Sequence, residues 1–181
     1  MGAENENVYK LIHWCFPLPG KIKINSDARW SQPTGYASYE GLTRNDHQGR
    51  WIEGFCGCTG ASSVLAAELH DFRQALRLAK DKQWELVEIG SDSLVDVNLI
   101  NKEDDIENHP YRTYIADCRK LKNEANAIIY HILRETNRCT DKMARQWWSQ
   151  TEQHVRVLIP PDEVVEDLMA DMVGVAFPKS F

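Results

Sequence analysis

The sequence predicts an α/β domain on a five-stranded mixed sheet, three antiparallel strands followed by two parallel crossovers, flanked by helices. Three observations carry this. Period-two runs occupy residues 21–57 and are split by turn-forming residues. An unbroken 3.6-residue apolar period follows from Ser62 to Lys82, and strand-like and helix-like segments then alternate as far as Gln150. Antiparallel neighbours need only a hairpin between them, whereas a strand reached through a helix lies parallel to the strand it joins.

Residues 8–20 hold Trp14, Pro17, Pro19 and Gly20 and read as an extended lead-in, because proline removes a helical donor and fixes its own φ. The first strand begins at Lys21 and runs Ile22-Lys23-Ile24-Asn25-Ser26-Asp27. Strands at 35–44 and 50–57 follow, joined by Asn45-Asp46-His47-Gln48-Gly49, whose composition suits a hairpin turn. In the long helix Val64, Leu65, Leu69, Phe72, Leu76 and Leu78 supply the apolar stripe, with Ser62 or Ser63 as the cap. Glu85 to Ser91 reads as a buried strand, Ser93 to Ile100 as a helix, and Glu103 to Glu107 as a solvated acidic loop. A helix from His109-Pro110 to Glu124, a strand from Ala127 to Leu133 and a helix from Asp141 to Gln150 complete the alternation. The expected division is a lead-in at 1–20, one domain at 21–154, and a tail at 155–181 that holds Pro160-Pro161 and a short helix over 162–171.

A chain of 181 residues with 43% hydrophobic and 27% charged residues buries one sizeable core and needs no second domain. No apolar run reaches membrane-spanning length, and Met1 to Asn7 lacks a signal-like n-region and h-region. Glu6 stands where a myristoylation motif wants Ser or Thr. The expectation is an intracellular monomer of cytoplasm or nucleus, neither secreted nor membrane-bound. Cys15, Cys56, Cys58, Cys118 and Cys139 lack the paired spacing of a zinc site and read as reduced thiols. A net charge of -6 excludes coating nucleic acid by bulk electrostatics but leaves local phosphate contacts open, for which Arg73, Arg77 and Lys80 lie at helical spacing.

Four acids stand in settings able to aim at one point. Asp27 ends the first alternating run, Glu68 lies in the second turn of the long helix, Asp92 follows the fourth strand, and Asp141 opens a helix. Any one of them alone is a cap or a solvated charge. With the first and fourth strands adjacent and parallel, Asp27 and Asp92 fall side by side, and Glu68 and Asp141 can meet them at one edge of the sheet. Convergent carboxylates of this kind bind divalent metal.

The chain also resembles the type 1 ribonuclease H-like domains, most closely their plant retroelement-derived, reverse-transcriptase-associated branch. The likeness rests on Lys23-Ile24-Asn25-Ser26-Asp27, on Gly41 to Asp46 with Gly49-Arg50-Trp51-Ile52, and on Ser63-Val64-Leu65-Ala66-Ala67-Glu68-Leu69. Ser91-Asp92-Ser93, His131 to Asp141 and Pro160-Pro161 extend it over almost the whole chain. The resemblance implies a ribonuclease H-like fold, and it implies Asp27, Glu68, Asp92 and Asp141 as catalytic metal ligands for two Mg²⁺ ions, with Mn²⁺ able to replace them. Asp27 would bridge the ions, Glu68 and Asp92 would hold one, and Asp141 the other. The implied reaction is endonucleolytic cleavage of the RNA strand of an RNA/DNA hybrid.

Asn25, Ala28, Ser63, Ser93, Arg134 and Asn137 flank the acids as substrate-contact candidates, and the polar ones among them equally suit caps and turns. Arg134 matches a position where relatives with a short loop use arginine, whose role would be electrostatic because guanidinium does not give up its proton. His131 reads as a structural strand residue. Ala28 and Glu40 replace glycines of the family pattern, and Thr43 replaces an apolar residue. These departures keep two alternatives open beside the nuclease: a ribonuclease H-fold nucleic-acid-binding module with weak or no turnover, and a domesticated protein-interaction domain.

Overall fold

The computed structural model describes residues 10–45, 48–149 and 151–179. The turn residues Asp46 and His47, the Met1 to Asn7 start and Gln150 lie outside them. The three antiparallel strands form as expected: β2 (Ile22–Ser31), β3 (Tyr36–Arg44) and β4 (Trp51–Gly60), preceded by a short β1 (Leu11–Ile12). Helix α1 (Val64–Asp81) crosses to β5 (Val87–Ser91), which lies parallel to β2, and α2 (Leu94–Asn101) with α3 (Arg112–Glu124) crosses to β6 (Ala127–His131), parallel to β5. Helix α4 (Arg138–Trp147) follows.

Five strands understate the sheet, which has six, in the order β6-β5-β2-β3-β4-β7. The added strand, β7 (Val155–Val157), pairs antiparallel with β4 at Gly54 to Cys56. Beyond it lie α5 (Asp162–Met172) and β8 (Phe177–Pro178), and β8 pairs with β1, joining lead-in to tail. Strands of two or three residues are too short to display a period, which is why the sequence hides them.

Successive strand residues face opposite sides, so Phe55 enters the core beneath α1 and α3 while Cys56 enters a second core beneath α4 and α5. The first core gathers Ile24, Leu69, Phe72, Leu76, Ile89 and Ile115; the second gathers Leu42, Met143, Val157, Val164 and Leu168. Ser63 is the cap of α1, its hydroxyl accepting the Ala66 N–H at 3.1 Å. The strand expected from Glu85 begins only at Val87, because Leu86 adopts φ 59°, a left-handed conformation that breaks extension. Helix α4 begins at Arg138 rather than Asp141, whose N–H instead closes the first turn on the Asn137 carbonyl at 3.0 Å.

Candidate acidic site

Asp27 lies in β2, between β3 and β5, and its cross-strand partner is Glu40. Its Oδ1 accepts the Ala28 N–H at 3.0 Å. Asp92 follows the last residue of β5, in a turn that the buried Ser91 hydroxyl fixes by accepting the Ser93 N–H at 3.1 Å. Glu68 is buried in the second turn of α1, and Asp141 sits in the first turn of α4. Two strands and two helices thus each present one acid.

The electrostatics tie these groups together. Burial pushes the Asp27 carboxyl up to about 7, and the charges of Asp92 and Asp141 add to the shift. Glu68 is pushed well above the ordinary carboxylate range by burial first, then by Asp27, Asp71, Asp96 and Asp92. Asp92 is raised by burial, with Asp141 adding to it, while Arg134 and His131 pull it down. Asp141 is held by arginines: Arg29 at 2.8 Å and Arg134 at 3.6 Å on Oδ1, and Arg145 at 2.7 Å on Oδ2.

Among the described residues no three Asp, Glu, His or Cys side chains close tightly enough to enclose an ion. The donor set nevertheless fits a hard divalent cation. It is all oxygen, it gathers more negative charge than burial tolerates, and Glu68 Oε2 is buried with no hydrogen-bond partner.

The flanking residues divide. Asn25 is turned into the interior, its Oδ1 accepting the Trp14 indole N–H at 3.0 Å. Asn137 donates from Nδ2 to the Ser26 carbonyl at 3.0 Å and accepts the Thr140 hydroxyl at 2.8 Å, so it ties the strand of Asp27 to the helix of Asp141. Ser93 donates to Asp96. Ser63 combines its capping bond with a 2.8 Å contact to the Tyr111 hydroxyl, which also meets Ser62 at 2.9 Å. Ala28 is a regular strand residue without positive φ, so no glycine is required of the backbone there. Arg134 is exposed beside Asp92 and Asp141.

His131, read from sequence as structural, is exposed where the edge strand β6 ends, close enough to lower Asp92. Arg73 and Lys80 pair with Asp117 at 2.5 Å and Glu124 at 2.8 Å on α3. Thr43 is satisfied inside the sheet, donating to the Glu53 carbonyl at 2.7 Å.

Sequence reasoning missed Asp71, Asp96 and the Arg29 pairing. Asp71 is fully buried and raised by burial, and Asp96 is raised to about 6 by the same cause. Their spacing was a usable signal, since Asp71 lies three residues after Glu68 on one helix face and Asp96 four after Asp92. Glu40, noted only as a departure, is fully buried and pushed up to about 8 by burial, with Asp27 adding and Arg29 opposing.

The sequence profile of the family described as Reverse transcriptase-like matches residues 25–147, a span that runs from Asn25 past Asp141. The chain belongs to the Reverse transcriptase-like family. An Arabidopsis thaliana protein named as a ribonuclease H protein is 29% identical over 180 residues, which is 99% of this chain and 29% of that protein. The chain therefore spans less than a third of that relative's length. Ribonuclease H1 from the halophilic archaeon Halobacterium salinarum superposes with a TM-score of 0.60 at 18% identity, covering 81% of this chain and 98% of the archaeal one. LC11 ribonuclease H1, isolated from compost by a metagenomic approach, has been solved in complex with an RNA/DNA hybrid. It superposes with a TM-score of 0.57 at 22% identity, covering 67% of this chain and 91% of that one. This member of the Reverse transcriptase-like family has the ribonuclease H-like fold.

Proposed function

We propose that the chain is a metal-dependent endonuclease that cleaves the RNA strand of RNA/DNA hybrids. The observation that supports this reading is charge coupling among buried acids: Asp92 and Asp141 act on Asp27, Asp27 and Asp92 act on Glu68, and Asp141 acts on Asp92, each adding to the rise that burial causes. The four carboxylates would hold Mg²⁺ or Mn²⁺ through their oxygens. Bound ions of this kind lower the pKa of water and stabilise charge at a scissile phosphate.

The chain's own residues have separate tasks. Asp27 is fixed by the sheet and by the Ala28 N–H, so its carboxylate is preoriented. Asn137 holds the start of α4 against β2 and so sets Asp141 relative to Asp27. Arg134, exposed next to the acids, attracts a phosphate without exchanging a proton. The hydroxyls of Ser62, Ser63 and Tyr111 at the start of α1 offer donors to a nucleic-acid backbone. The RNA/DNA hybrid complex of LC11 ribonuclease H1, a structural neighbour, supports the substrate class.

A strand-labelled RNA/DNA hybrid incubated with Mg²⁺ or Mn²⁺ tests the reading beside Asp92→Asn. Divalent-dependent cleavage confined to the RNA strand, absent in the variant, is expected; no cleavage with either metal sinks it. A hybrid-binding module with weak turnover is the second reading, favoured by the arginines seated on Asp141 and by Glu40 opposite Asp27. It predicts hybrid affinity that falls as salt rises, without cleavage.

A further inference from the structure

Asp141 has neither oxygen free. Oδ1 is held by Arg29 at 2.8 Å and Oδ2 by Arg145 at 2.7 Å. The three guanidiniums around it are not equivalent: the side chains of Arg145 and Arg134 are 68% and 74% exposed, whereas that of Arg29 is 30% exposed. Solvent screens the first two, so their hold on the carboxylate is the weaker. Arg29 instead rises from β2, two residues after Asp27 and so on the same face of the strand.

A guanidinium remains charged at any pH a protein survives, so it leaves a carboxylate only by displacement. Glu40, fully buried, lies across from Asp27 in the same sheet, so a second acid flanks the seat of Arg29. A positive charge is therefore built into the acidic centre on its Asp141 side.

We propose that Arg29 is a resident counter-ion that closes the Asp141 side of the centre, so that the chain takes one divalent ion readily and a second only by displacing the guanidinium. This rests on the metal-centre reading above, applied to a residue outside the four acids. It makes Arg29 the determinant of how many ions the chain holds at a given concentration.

Mn²⁺ titration of the full chain, with free Mn²⁺ counted by electron paramagnetic resonance, tests this without reference to activity. The wild type is expected to bind one ion tightly and the second at least about tenfold more weakly, since two like charges a few ångströms apart repel even across a partly solvated surface. Arg29→Gln tightens the second site by about tenfold or more, while Arg29→Lys, which keeps the charge, leaves it weak. The double variant Arg134→Gln/Arg145→Gln removes only exposed groups and serves if Arg29→Gln fails to fold; in it the second site stays weak. Equal second-site affinities in wild type and Arg29→Gln, or tightening in the double variant, overturn the proposal while an intact first site lost in Asp92→Asn upholds the metal centre. Absence of any Mn²⁺ binding in wild type and Arg29→Gln alike sinks both.

Discussion

Asn137→Ala perturbs the joint between the two halves of the acidic site. The Asn137 side chain is 2% exposed and makes two hydrogen bonds, to the Ser26 carbonyl at 3.0 Å and from the Thr140 hydroxyl at 2.8 Å. Each is worth about 1 kcal/mol net, and leaving the buried partners unsatisfied adds to the loss, so the expected destabilisation is about 2–4 kcal/mol. For a chain of this size each kcal/mol lowers Tm by about 2–4 °C. Urea denaturation followed by circular dichroism reads the change as a lower midpoint at unchanged slope. A double-mutant cycle with Thr140→Val isolates their contact, with a coupling of about 1 kcal/mol expected. A loss below about 0.5 kcal/mol refutes the idea that Asn137 joins β2 to α4.

The remaining predictions concern charge. Asp171→Ala leaves Arg44, which is paired at 2.7 Å and 1% exposed, as a buried lone cation and is expected to cost about 3–5 kcal/mol in a denaturant melt. Burial, with Arg44 nearby, lowers Lys23 from 10.5 to about 8. Between those values the unfolded chain keeps a proton that the folded chain has released, so this group makes stability rise with pH above about 8, and the gain disappears as pH falls through it. Lys23→Met flattens that rise, as paired urea melts at mildly and strongly alkaline pH will read. Asp27→Asn removes one of several repelling buried carboxylates, so it is expected to raise the metal-free Tm and to abolish the rise in Tm that the proposed Mg²⁺ binding predicts for the wild type.

Much of this architecture was legible because long elements carry long patterns. The alternation of Ile22 to Asp27 and the stripe from Val64 to Leu78 are enough to set strand against helix, and the parallel crossover then pairs β5 with β2 and brings the charge of Asp92 to bear on Asp27. Short strands such as Val155–Val157 have no room for a pattern, and the left-handed Leu86 gives no local warning of a shortened strand. In the site, the acids were readable one by one, Asp27 from its alternating run, Glu68 from the helix stripe and Asp92 from the strand it follows. What they touch was not: Arg29 reaches Asp141 across 112 residues, and Asn25 turns inward because Trp14 needs an acceptor. Side-chain partners distant in sequence are fixed by the tertiary packing of β2 against α4, which no local period encodes.

Cleavage of a hybrid by wild type and by Asp27→Asn, Glu68→Gln, Asp92→Asn and Asp141→Asn tests the central claim most directly. The four-carboxylate account predicts RNA-strand cleavage that needs Mg²⁺ or Mn²⁺ and is lost in every one of the four variants while each remains folded. Metal-independent cleavage, or a folded variant that retains wild-type turnover, would contradict it.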